Sequence, residues 1–208
     1  MSKPTAFSFA PLSPVKQGVA VLLVEEGPVL SPAGKALDEA SDGVITRAAK
    51  QRGFKGKKKT ALDILVPGKL GLSRLLAIGA GTLKVYDEND WLELGGAIRG
   101  RLSGRDGSKV TLVLERPKRP HEVSGVEAAQ TVLGAMLRGY KFDKYKTKPA
   151  KKDDESDNND TDLAQLTVQC ANPAAARRAF SACKAVGEGV ILARDLVNEP
   201  ANILGPKD

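Results

Sequence analysis

Aromatic residues make up only 4% of the chain, cysteine occurs twice and histidine once. The scarcity of rings leaves Leu, Val, Ala and Ile to build the core. Cys170 and Cys183 are too few for a disulfide framework and show no C-x-x-C spacing. They are expected as small buried hydrophobes on a strand end and a helix. A lone His121, set between Pro120 and Glu122, excludes a histidine-rich zinc site and leaves any Ser-His-Asp or Cys-His scheme resting on one residue. No stretch approaches the roughly 18 apolar residues of a membrane span. Met1-Ser2-Lys3-Pro4 carries one positive charge but no apolar region behind it, unlike a signal peptide. A cytoplasmic protein without a membrane partner is expected.

The 208 residues suit one domain of ordinary size plus an appendage, with 41% apolar and 27% charged residues. The net charge of +7 permits contact with nucleic acid. Its distribution is uneven. Lys50 to Lys59 holds six basic residues and no acid, and Lys141 to Lys152 holds six lysines against Asp143 alone. Asp153 to Asp162 then holds six acids and no base, so these neighbouring blocks nearly cancel. The low-complexity run from Lys148 to Asp162 lacks an apolar anchor and is expected as a disordered, solvated loop. It lacks the glycine and terminal glutamate of an EF-hand.

The apolar run Gly18–Val24 predicts a buried strand. Ser31-Pro32 predicts a helix start with Ser31 as cap, and Gly43 should divide that helix from a second piece carrying Val44, Ile45 and Ala48. Phe54 to Lys59 reads as a basic loop. Ala61–Val66 and Arg74–Ile78 read as strands joined by a turn at Pro67-Gly68 and Gly71, too short for a crossover and therefore antiparallel. Gly79-Ala80-Gly81 could bring backbone amides to a phosphate, but no G-x-G-x-x-G is completed, and a plain glycine turn is expected. Trp91, Leu94 and Ile98 place a helix over Asp87–Arg101, with close packing at Gly95-Gly96. A strand follows at Val110–Leu114. Ser124 to Leu137 is expected as a helix with Val126, Ala129, Val132, Leu133 and Met136 inward. Leu163–Val168 is a further strand, and a long helix should run from Pro173 to Val197. This alternation predicts a mixed α/β fold with a partly parallel sheet and helices on both faces.

The final stretch is Ala193-Arg194-Asp195-Leu196-Val197-Asn198-Glu199-Pro200-Ala201-Asn202. Pro200 disfavours helix at Glu199 and should stop the helix near Asn198. Helix exit followed by the new turn at Gly205-Pro206 suggests a joint leading into something further. Val186, Val190, Ile191, Leu192, Ala193 and Val197 give that helix more apolar surface than one core stripe requires, and Leu196 and Ile203-Leu204 extend it. The run Ala193–Asn202 resembles the segment joining the two domains of leucyl aminopeptidases, the cytosolic two-metal family. Tyr140-Lys141-Phe142-Asp143-Lys144-Tyr145-Lys146 is similar to an aromatic-basic segment of the same family, and Gly79-Ala80-Gly81 to its fold signature. Read alone, those aromatics among lysines could stack on bases. They are expected instead to pin the chain exit onto the core.

The resemblance implies an amino-terminal, macro-domain-like α/β domain over residues 1–170, followed over 171–208 by a linker helix and the beginning of a catalytic domain. The full-length parent would be a metallo-aminopeptidase using two divalent ions, zinc or manganese, and assembling as a homo-hexamer. Its own catalytic domain and neighbouring subunits would be this domain's partners. The family's catalytic carboxylates, lysines and arginine lie beyond the joint, and its Asn-Thr-Asp-Ala-Glu-Gly-Arg run is absent here. No catalytic, cofactor-binding or metal-binding residue is therefore assigned, and Asp195 and Glu199 are not ligands in the family pattern. The expected function is that of a non-catalytic domain in oligomer assembly and active-site access. One alternative is a module making weak nucleic-acid contact through Lys55–Lys59 and Lys141–Lys152. The other is a nucleotide or ADP-ribose binder resting on Gly79 and Gly81.

Overall fold

The computed structural model describes residues 5–65, 70–103, 106, 109–117, 122–145 and 163–203. The expected turn at Pro67-Gly68, His121, the charged loop 148–162 and Leu204 onward lie outside the described residues. The strands are β1 (Ala6–Pro11), β2 (Gln17–Glu25), β3 (Val29–Leu30), β4 (Ala61–Leu65), β5 (Gly71–Gly81), β6 (Val110–Val113) and β7 (Gln165–Cys170). The helices are α1 (Pro32–Ala40), α2 (Val44–Arg52), α3 (Glu88–Arg99), α4 (Gly125–Arg138) and α5 (Pro173–Asn198). The strand order is β1-β7-β6-β2-β5-β4, with β3 beside the end of β2. Only β3 and β4 run antiparallel to their neighbours; the other pairs are parallel.

Central β2 explains why its sequence is apolar without alternation. Val19, Val21 and Leu23 face a core closed by α3, α4 and α5, including Trp91, Ile98, Val132 and Phe180. Ala20, Leu22 and Val24 face a second core closed by α1 and α2, including Leu37 and Ile45. Both faces of the strand are dry, so every position from 19 to 24 must be apolar.

Local signals hold the helices in place. The Ser31 hydroxyl accepts from the Gly34 amide at 3.2 Å, with Pro32 at the first helical position. Asp87 with Asp90 and Ser124 with Glu127 form capping boxes at α3 and α4. Asp38, buried at the end of α1, accepts from the Ile45 and Thr46 amides and so caps α2 from outside its own helix.

Three expectations need correction, and one strand adds to those read from the sequence. β1 was not foreseen; Ala6–Pro11 pairs in parallel with β7 at the sheet edge, where a half-covered strand lacks a continuous apolar run. Gly79-Ala80-Gly81 is no turn but the end of β5, which continues beside β2. The last strand lies two residues later than expected, at Gln165–Cys170. Of the residues expected inward on α4, Ala129, Val132 and Leu133 are buried but Val126 is exposed, and Ala128, Thr131 and Ala135 complete the buried face. Small residues lead on that face because α3 crosses it closely: the Gly95 and Gly134 positions approach the backbone of the opposite helix.

Candidate functional site

The two segments that carry the family resemblance, Tyr140–Lys146 (described to Tyr145) and Ala193–Asn202, meet in space. α4 ends at Gly139 and α5 lies along it, with Ala176, Phe180 and Gly187 buried beneath α5. The chain leaving α4 therefore passes beside the last turns of α5. There the Tyr140 hydroxyl donates to Asp195 Oδ1 at 2.9 Å and accepts from Asn198 Nδ2 at 3.3 Å. The Arg194 guanidinium stands 5.6 Å from the centre of the Tyr140 ring and donates to the Leu137 carbonyl at 2.9 Å. One turn on, Lys144 Nζ lies 2.5 Å from Glu199 Oε1, while the Tyr145 hydroxyl donates to Glu199 Oε2. The Glu199 carboxyl is held below its ordinary value, first by the Lys144 hydrogen bond and then by that of Tyr145. Lys144 and Tyr145 are raised by the same contact.

This clasp fixes the helix exit at the residue before Pro200. Beyond it, the Ile203 amide returns to the Pro200 carbonyl at 2.8 Å. Each half was visible in the sequence, but their pairing was not. The available signal was complementary chemistry, aromatic-basic in one segment and acidic in the other, and nothing local ties positions 55 residues apart.

The outer side of α5 is bare. Val186, Leu192, Leu196 and Val197 are exposed, Val197 to 85%, and Ile203 continues the patch past the clasp. Val190 and Ile191, counted with the surplus from sequence, are half-buried. Large apolar side chains left exposed in such number on one helix are the kind of surface that contacts other proteins.

The other candidates are engaged. The Gly79 amide donates to the Thr60 carbonyl and the Gly81 amide to Gly56, both at 2.8 Å. A Cβ at Gly79 would stand 2.2 Å from the Lys57 carbonyl oxygen, so glycine is needed for the basic loop to close over the strand. These amides hold protein where a phosphate would sit. Nearby, the amino end of α1 is taken by Glu115, which accepts from the Ala33 amide at 2.8 Å. Within the basic loop, Lys58 pairs with Asp90 and Lys59 approaches Glu93 at 3.4 Å. Residues 146–162 lie outside the described residues. Cys170 is buried at a strand end and Cys183 half-buried on α5, both as free thiols; desolvation pushes both upward. Among the described residues no three His, Cys, Asp or Glu side chains converge as metal ligands. Asp195 and Glu199 are spent on Tyr140, Lys144 and Tyr145, so this donor set does not fit a catalytic metal. No helix among the described residues is long and apolar enough to cross a membrane.

The fold is a mixed α/β domain whose last helix carries exposed apolar side chains beside a clasped exit. The model of the "Cytosol aminopeptidase family, N-terminal domain" matches residues 21–149, and the chain belongs to that family. It is 42% identical to a probable cytosol aminopeptidase of Afipia carboxidovorans over 212 residues, covering all of this chain and 40% of the relative. It is 41% identical to that of a Chelativorans species, covering 98% and 39%. The chain thus spans about 40% of the length of these relatives. Their names agree with the cytoplasmic expectation. Among solved structures, a tomato leucine aminopeptidase mutant superposes with a TM-score of 0.79 at 19% identity, over the whole of this chain and 41% of its own. The bottromycin maturation enzyme BotP, in complex with Mn, gives 0.59 at 22% identity, over 91% and 34%. At these identities the likeness is one of fold.

Proposed function

We propose that this chain is the non-catalytic amino-terminal domain of a leucyl aminopeptidase, a two-metal exopeptidase that releases amino-terminal residues from peptides in the cytoplasm. Residues 1–170 form its macro-like body, and 171–208 lead into the catalytic domain. The zinc or manganese ions belong to that domain. The domain's own work is assembly: it presents a surface to the catalytic domain and to neighbouring subunits of a homo-hexamer, and so bears on access to the active site.

The observation that carries this reading is the bare stripe of Val186, Leu192, Leu196, Val197 and Ile203 beside a clasped exit. A catalytic domain following Pro200 would emerge next to that stripe and bury it, at roughly 25 cal/mol per Å² of apolar surface covered. Hydrogen exchange tests it. In the 208-residue chain, the last two turns of α5 and Glu199 to Ile203 should exchange quickly, while Val19–Val24 and Arg74–Ile78 stay protected. Supplying the catalytic portion should slow exchange at the stripe and produce aminopeptidase turnover together. Turnover of a leucine amide by this chain alone with manganese or zinc would refute the proposal. So would a stripe already as protected as the central strands in a monomer.

A further inference from the structure

The sheet ends at β4, and that edge carries little of the protection usual for one. Bonding alternates along an antiparallel pair, and the Gly79 amide bonds the Thr60 carbonyl. By the register, Leu62 and Ile64 therefore direct their backbone groups to β5. The N–H and C=O groups of Ala61, Asp63 and Leu65 point off the sheet, and among the described residues no strand pairs with them. Exposed edges are normally blunted by lysine, proline or an inward charge. Ala61–Leu65 contains no lysine or proline. The charge of Asp63 is held by Arg74, with Nε and Nη2 at 2.9 and 2.6 Å from its two oxygens. Leu65 is 72% exposed.

A groove of about 550 Å³ lies along this edge, between the carboxy end of α2, the basic loop and β4. Arg52, Lys55 and Lys57 line it and are exposed. Unlike Lys58 and Lys59, they have no acidic partner among the described residues. We infer that this groove docks an extended acidic peptide segment of a partner protein, which adds a strand to Ala61–Leu65 and sets its carboxylates against Arg52, Lys55 and Lys57. Strand addition uses the main-chain ladder for affinity and the flanking side chains for choice of partner, and both are present on this one edge. A second copy of this chain would bring like charge to the same edge. Nucleic acid would match the lysines but not the alternating amides and carbonyls, and the one aromatic in the groove, Phe54, is buried and offers no stacking platform. The surface is separate from the α5 stripe and does not depend on it.

The test uses the 208-residue chain and a fluorescent peptide of about ten residues alternating glutamate with threonine. Three controls accompany it: a lysine-for-glutamate version, a version N-methylated on alternate amides, and a duplex oligonucleotide. At low salt the acidic peptide should bind saturably, and the amides of Ala61, Asp63 and Leu65 should gain exchange protection. The Lys55→Glu/Lys57→Glu chain should bind at least about tenfold more weakly, an energy of about 1.4 kcal/mol, while keeping its circular dichroism and melting temperature. N-methylation should weaken binding to a similar degree, and the lysine peptide should not bind. Absence of saturable binding below about 1 mM overturns the inference, since about 4 kcal/mol is the least such an interface should yield. Equal binding of the N-methylated peptide also overturns it. So does self-association through β4 in sedimentation, or preferential binding of the oligonucleotide with protection confined to Lys55–Lys59.

Discussion

Gly95 and Gly96 are adjacent on α3, yet replacing each by alanine should move stability in opposite directions. A Cβ at Gly95 would stand 1.8 Å from the Thr131 carbonyl oxygen and 2.7 Å from its carbon, both in the backbone of α4. Carbon atoms do not approach so closely, and backbone cannot swing aside as a side chain can. The two helices would have to part by more than an ångström. That would loosen Trp91, Leu94, Ile98 and Val132, all buried at this crossing. Overpacking of this kind costs about 1–3 kcal/mol, and here it should reach the upper part of that range. The helix propensity gained, about 1 kcal/mol, offsets only part of it. A Cβ at Gly96 would meet the Gly134 oxygen at 3.7 Å and Arg138 Cβ at 3.9 Å, both ordinary contacts. Gly96→Ala should therefore stabilise by about 0.5–1 kcal/mol. Urea titration at constant m, supported by calorimetry, reads the difference; for a chain of this size 1 kcal/mol moves the melting temperature by about 2–4 °C. Gly95→Ala should melt below the parent and Gly96→Ala above it. Equal stabilisation by both would refute the close approach of α3 and α4.

The cap and the clasp give two further outcomes. Ser31→Ala removes the acceptor of the Gly34 amide and should cost about 0.5–2 kcal/mol in the same titration; a neutral result would place the start of α1 elsewhere. Glu199 has its folded value lowered, so its contribution is present above the unfolded value of about 4.3 and is lost as pH falls through the folded one. Lys144 is raised, so its share is complete below about 10.4 and is lost as pH rises through its folded value. The clasp should thus be tightest from about pH 5 to 10. Carboxyl NMR should place Glu199 below an ordinary glutamate, with Lys144→Met moving it upward. An ordinary value unmoved by that substitution would break the Lys144–Glu199 link.

Features whose cause lies within a few residues are legible in the chain alone. Ser31-Pro32 marks a helix start because a hydroxyl and a ring fit the first turn wherever the helix later packs. The unbroken apolar run of β2 announces burial on both faces, and with it helices on both sides of a partly parallel sheet. The joint-like run Ala193–Asn202 points to the family by its own residues. The remaining features follow from packing between distant elements. β1 exists as a strand because β7, some 159 residues away, supplies its ladder; the short half-covered segment carries no such instruction alone. Gly79 and Gly81 became strand rather than turn because the loop at Gly56–Thr60 folds over them and takes their amides. Val126 satisfies helical spacing, but the crossing with α3 rotated α4 so that small residues face inward. Tyr140, Lys144 and Tyr145 found Asp195 and Glu199 only once α4 and α5 lay side by side. Propensity and capping act through neighbours in the chain, whereas these pairings follow from packing between elements far apart in it, to which a linear pattern is blind.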